Sequence, residues 1–181
     1  LSKAIAAHRS LSDLFHDLAT RLHGLFDFHY LGLLLYDPAR DVMRLHLLET
    51  SEPLMARAPS EIPLHGSITG WVWQNQQPSI TADVEAQEDR FPIVKVLRDY
   101  PVKAMCILPL STAHERLGVL TIASDKAAAY AQLDLEFAQL VAAQAAGSDA
   151  VSRLSQLNEF LHRGADPRNI PDILGNPLLQ S

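Results

Sequence analysis

In the middle of the chain Trp71, Trp73, Phe91 and Tyr100 are interleaved with Arg90, Lys95 and Arg98. An apolar wall with a few polar anchors is what a small-ligand pocket needs. Guanidinium groups bond carboxylates bidentately, so Arg90 and Arg98 are the natural partners of a small anion. The same residues allow a plainer arrangement, with Trp71 or Trp73 in the core and the arginines paired on the surface with Glu88, Asp89 or Asp99. Covalent or hydrolytic chemistry would need a nucleophile beside a base, a carboxylate pair, or metal ligands at usable spacing. None of these stands out. Cys106, the one cysteine, lies inside the apolar run KAMCILPL. It reads as a small buried hydrophobe, with a redox or ligand-contact role as the alternative. The eight histidines are dispersed, and the seven-residue step from His16 to His23 is too long for one metal on one helix. No metal or other cofactor is expected. With no GxxxxGK[ST] phosphate loop, this segment is not itself a P-loop ATPase.

The elements that must position these residues can be read from periodicity. Ile5, Leu11, Leu14, Phe15, Leu18, Leu22, Leu25 and Phe26 recur at mostly three- and four-residue steps, which predicts an amphipathic helix over residues 1–26. FHYLGLLLY (28–36), the turn Asp37–Asp41 and Val42–Leu48 read as strand, turn, strand. Residues 50–61 read as a loop. Ser67 can cap a short helix that must end before Pro78. Ser79–Thr81 is extended, 83–90 is polar loop, and Pro92–Asp99 is helical with proline in its first turn. Lys103–Leu110 and Leu117–Ala123 are the clearest strands, joined by a short polar turn and so expected to be antiparallel neighbours at the centre of a sheet. Asp134 opens a helix over 135–162 that Gly147-Ser148 weakens in its middle. Strands cluster instead of alternating with helices, which predicts an α+β fold with a largely antiparallel sheet.

With 181 residues, 48% hydrophobic and 20% charged, the chain has the material for one domain and a proper core. A net charge of −6 with scattered Lys and Arg leaves no footprint for nucleic acid. A single cysteine suits a reducing compartment, and no apolar run spans a bilayer, so a cytoplasmic location is expected. The start at Leu1 instead of Met suggests a piece of a longer polypeptide.

The segment LHGSITGWV followed by Gln77-Pro78 resembles the GAF motif, in which a glycine-containing turn leads into a short helix ended by "QP". VKAMCILPL and RLGVLTIAS are similar to the family's central hairpin, and DLEF with the alanine-rich stretch after it resembles the closing helix. FDFHYLGLLLYDP, GSITGWVWQNQQP and YPVKAMCILPL are most similar to the sensory domains of sigma-54-dependent transcriptional activators of the formate hydrogenlyase activator kind.

This resemblance implies a PAS-related sheet with the terminal helices on one face and short helices and loops on the other. It places the ligand between the sheet and the middle third, making Trp71, Trp73, Arg90, Phe91, Arg98, Tyr100 and Cys106 the candidate ligand-binding residues. Residues 1–163 would form a sensor domain, and 164–181 a linker or the start of a downstream domain. The expected role is sensing a small molecule, such as a carboxylate like formate, as a homodimer that signals to downstream AAA+ and DNA-binding domains. A ligand-free dimerisation module is the alternative. The Asn-Lys-Phe-Asp-Glu-like signature of cyclic-nucleotide-binding relatives is absent, and the surroundings of Cys106 do not match bilin attachment. Free methionine sulfoxide reductases, catalytic relatives, need several cysteines, so no enzymatic activity is expected.

Overall fold

The central strands are buried along their length in a way that only a sheet covered on both sides explains. In the computed structural model, which describes residues 11–50, 59–149, 151–152 and 155–156, the first strand, β1 (Tyr30–Asp37), is buried at every position but Tyr36. Half-buried strands alternate apolar and polar, whereas strands covered on both faces read as continuous apolar runs. The run YLGLLLY is continuous for that reason.

Around β1 lie β2 (Val42–Thr50), β3 (Glu61–Pro63), β4 (Ser79–Thr81), β5 (Ala104–Ser111) and β6 (Arg116–Ser124). They form one sheet of order β3-β2-β1-β6-β5-β4, antiparallel at every pairing. β1 and β6 are its centre, so β5 stands one place further out than the sequence alone implies. β3 begins at Glu61, the last residue of the stretch read as loop, and the sequence points to no element at its other two residues. Its three residues, one of them a proline, are too few for a periodic signal, and its pairing with β2 alone makes it a strand.

One face of the sheet carries two helices, α1 (Leu11–His23) and α3 (Leu135–Ala146). Phe15, Leu18, Ala19 and Leu22 on α1, and Ala138, Val141, Ala142 and Ala145 on α3, each sit at i, i+3, i+4, i+7. They pack on Leu31, Leu33, Leu35, Cys106, Leu108, Leu110, Leu120 and Ile122. Asp134 caps α3 by accepting a hydrogen bond from the Phe137 amide at 3.1 Å. Gly147 ends it, and residues 149, 151–152 and 155–156 are helical again, so the expected long helix is broken where Gly147-Ser148 predicts weakness. The other face carries α2 (Ile68–Asn75) and two 3-10 segments, Glu85–Gln87 and Pro92–Asp99. The second segment, expected as a helix, is wound to the tighter 3-10 pitch. Leu64, Ile68, Val72, Phe91, Val94 and Val102 there cover Leu34, Met43, Ile107 and Val119. The expected two-sided layering therefore holds. The tail expected to be a linker (164–181), and residues 1–10, lie outside the described residues.

The β1–β2 turn is built as its residues predict. The Asp37 carboxylate accepts from the Ala39 amide at 3.0 Å, and Asp41 takes a φ of 54°. Arg44 on β2 donates to Asp37 at 2.5 Å, while Arg40 reaches Glu61 at 3.0 Å, tying the turn to β3. Burial alone would raise the pKa of the Asp37 carboxyl. The hydrogen bonds from Arg44 and the Ala39 amide outweigh it and leave the group below its ordinary value. A carboxyl whose folded value is depressed adds stability above its unfolded pKa, near 3.9, and loses that contribution as the pH falls through the folded value. Asp37→Asn is therefore expected to lower stability by about 1–3 kcal/mol at pH 7. Paired urea titrations of wild type and variant should show this gap closing as the pH drops below about 4. A pH-independent gap would contradict the assignment.

Candidate functional site

The middle third is shaped by two glycines and a serine. Gly66 adopts φ +80°, a conformation L side chains rarely take. The Ser67 hydroxyl donates to the Pro63 carbonyl at 2.6 Å and accepts from the Gly70 amide at 3.0 Å, which caps α2. At Gly70 a Cβ would stand 1.7 Å from the Leu64 carbonyl oxygen, so the helix can lie on this backbone only because the position is glycine. Gln76, in the left-handed region at φ 53°, ends the helix two residues before Pro78.

Two hollows open beside this helix. The first, about 130 Å³, lies where β3, the start of α2 and the Pro92–Asp99 segment meet. Its walls are mainly Ile62, Pro63, Ile68, Ile93, Val96 and Leu97. Its polar lining is Glu61, Ser67 and Thr69. Glu61 is engaged by Arg40 and lies 3.6 Å from Arg44, and Ser67 is committed to its cap. The second hollow, about 340 Å³, lies against β4 and is lined by Trp71, Pro78, Ser79, Ile80, Thr81, Gln87, Arg90 and Phe91. Here the Arg90 guanidinium sits over two rings, 5.4 Å from the Trp71 centroid and 5.0 Å from Phe91. Each such contact contributes about 0.5–1 kcal/mol at an exposed site.

Of the residues singled out from the sequence, Trp71, Arg90 and Phe91 come together and the others do not. Trp73 is two residues from Trp71, which turns it to the other side of α2, where it stacks on Tyr36 at 4.9 Å. Arg98 is paired with Glu88, which also holds Lys95 at 3.7 Å, so the plainer surface-pair alternative describes Arg98. Tyr100 is half-buried against the core of the short-helix face. Cys106 lies on the far face, fully buried under α1 and α3, because alternation along β5 sends Met105 and Ile107 to one side and Cys106 to the other. Burial pushes its thiol up to about 12. The aliphatic walls of the first hollow escape notice in the sequence because Ile and Val there read as core. The hint is Pro92–Asp99, where the adjacent pairs Ile93-Val94 and Val96-Leu97 put apolar side chains on more than one side of a short segment. Among the described residues there is no group of three or more His, Cys, Asp or Glu side chains that could hold a metal ion, and no helix is long and apolar enough to cross a membrane.

A family model described as "GAF domain" matches residues 8–147. The chain is similar, at 21% identity over 152 residues, to the formate hydrogenlyase transcriptional activator FhlA of Escherichia coli (strain K12). That alignment covers 81% of this chain and 22% of the activator, so the chain spans about a fifth of its relative's length. Among solved structures it resembles the GAF domain of a two-component sensor histidine kinase from Bacillus halodurans, with TM-score 0.60 and 19% identity, covering 81% of this chain and 97% of that one. It also resembles free methionine-R-sulfoxide reductase from Neisseria meningitidis in complex with its substrate, with TM-score 0.57 and 20% identity, covering 78% of each chain. At these identities the two structures share a fold with the chain.

Two outcomes test this geometry. Gly70→Ala should cost about 2–4 kcal/mol, against about 1 for Ser67→Ala, because only the first forces α2 off the Leu64 backbone. Chemical denaturation of both variants measures the difference, and equal losses would refute the close approach. Cys106 in the native domain should resist a thiol-reactive reagent at neutral pH and react at a rate that follows unfolding. Immediate labelling of the folded protein would refute its placement.

Proposed function

The chain belongs to the GAF domain family, and on that premise we propose that it is a regulatory, small-ligand-sensing domain of a bacterial transcriptional regulator. The observation that carries this reading is the apolar hollow walled by β3, α2 and the Pro92–Asp99 segment. About 130 Å³ is slightly less than the roughly 150 Å³ of an engineered cavity that accepts benzene, so the ligand is small and largely apolar. Among the described residues of the lining Glu61 is the only charged side chain, which favours an uncharged ligand over a free carboxylate such as formate. Three elements share the hollow, so filling it shifts the balance between arrangements of α2 and the 3-10 segment. The sheet carries that shift to α1 and α3, which lead toward a downstream AAA+ output domain of the sigma-54-dependent kind. The relative FhlA, named a transcriptional activator, supports that output.

The domain is read as non-catalytic. Cys106, the one thiol, is buried beneath the helices with its pKa raised, on the opposite side of the sheet from both hollows. Sulfoxide reduction by the purified domain would overturn this. A second reading, a ligand-free dimerisation module, is favoured by Leu140 (66% exposed), Phe137 (42%) and Leu25 (49%) on the helix side, an apolar set that a second copy would cover.

A thermal-shift screen separates the readings, run over small aromatics, branched aliphatics and carboxylates, with light scattering to report the oligomer. A sensor gains RT ln(1 + [L]/Kd), so a ligand at about 100 times its Kd should raise Tm by on the order of 5–10 °C. Ile93→Phe, which fills the hollow, should abolish that rise. A flat response across the panel with an intact dimer would support the dimerisation module.

A further inference from the structure

Of the polar side chains in the wall of the apolar hollow, Glu61 is engaged by Arg40, and Ser67 both donates and accepts in the cap of α2. Thr69 remains. It lines the hollow and is only 6% exposed, yet its hydroxyl has no hydrogen-bond partner among the described residues. Thr121 and Tyr130 also carry unpartnered hydroxyls, but theirs are fully enclosed in the core, whereas that of Thr69 is not. A buried hydroxyl left unpaired is costly, so its presence against open volume marks a place for a ligand atom. The helix start adds donors of its own. Ser67 takes up the amides of Gly70 and Trp71, through its hydroxyl and its carbonyl. The amides of Ile68 and Thr69 meet no acceptor among the described residues, and both residues line the hollow. Such first-turn amides point back past the start of the helix.

We infer that the hollow takes a small uncharged molecule with one acceptor oxygen, of the ketone class, and that Thr69 recognises that oxygen. This assignment rests on the hollow being the sensing site, and the ligand class follows from its wall. A helix start alone would suit an anion. Here the Glu61 carboxylate shares the wall, and no cationic side chain does among the described residues, so a charged oxygen is disfavoured. A hydrocarbon fills the volume but leaves the Thr69 hydroxyl and the two amides unmet. An alcohol brings a proton that needs an acceptor as well, whereas a carbonyl oxygen has two lone pairs and asks only for donors. Volume sets the size. About 130 Å³ is somewhat below the roughly 150 Å³ that holds benzene, which limits the ligand to about six heavy atoms. Ile62, Ile93, Val96 and Leu97 cover its hydrocarbon part.

The test is an NMR titration of the whole chain with probes of matched size: cyclopentanone, methylenecyclopentane, in which a CH2 group stands where the ketone has its oxygen, and isobutyrate. The expected result with cyclopentanone is a saturable shift of the Ile68 and Thr69 amide resonances, with nuclear Overhauser contacts from its ring protons to the Thr69 methyl. Isobutyrate should bind at least about tenfold more weakly, since its charge finds no cation. Thr69→Val removes the hydroxyl at nearly constant volume. It should cut the affinity for cyclopentanone by about three- to tenfold and leave that for methylenecyclopentane unchanged or improved. Retained hydrocarbon binding also shows that the variant is folded. Thr69→Ser, which keeps the hydroxyl, should hold the wild-type preference. The proposal is overturned if Thr69→Val lowers both affinities alike or neither, if the Overhauser contacts are absent, or if isobutyrate binds as tightly as cyclopentanone. In those cases the hollow is still filled, and its sensing role stands without Thr69. If neither cyclopentanone nor methylenecyclopentane binds, the proposal and the sensing role of the hollow fall together.

Discussion

The burial of β1 on both faces is the constraint from which the rest of the structure follows. Leu31, Leu33 and Leu35 need α1 and α3 above them, while Tyr30 and Leu34 need the short elements below. Each side chain of this kind contributes about 1.5–3 kcal/mol when fully buried, so neither layer can leave without exposing a large share of the driving force. The sheet is therefore a shared wall. Whatever displaces the elements on one face alters the surface on which the helices of the other face rest.

That wall is sealed unevenly. Under the helices, Ala138, Ala142 and Ala145 at i, i+4 and i+7 bring α3 close to β5, and the result is a continuous apolar layer that encloses Cys106. On the other face the cover is one short α-helix and two 3-10 segments, whose side chains are too few and too short to close every gap. The hollows lie at the two ends of that cover. Gly66 and Gly70 set the position of α2 against the end of β3, so the backbone turn defines one rim of the apolar hollow as firmly as any side chain.

Charge is distributed with the same asymmetry. Around the β1–β2 turn, Asp37, Arg40, Arg44 and Glu61 satisfy one another and brace β3. Along the 3-10 segment, Glu88 gathers Lys95 and Arg98. Both networks are structural in their immediate effect, and both leave the cation over the two aromatic rings outside their reach.

Much of this was legible in the residues. The apolar continuity of β1, the Asp37-Pro38 turn, the Ser67 cap and the Asp134 cap are local effects, decided by side chains within four positions of one another, and the sequence alone determined them. The stripe of α1 likewise foretold Phe15, Leu18 and Leu22 as its buried face, whereas α3 buries Ala138, Val141, Ala142 and Ala145 and leaves Phe137 and Leu140 of its apolar stripe exposed. Of the short elements α2 and β4 were legible, whereas β3 exists through its partner strand, and the 3-10 winding of Pro92–Asp99 through packing. Among the candidate site residues, composition picked out Trp71, Arg90 and Phe91 but could not separate them from Trp73, Arg98, Tyr100 and Cys106. Only the tertiary structure decided that, because whether a cation is paired, which side of a strand a thiol faces, and where two walls fail to meet all depend on residues distant in the chain.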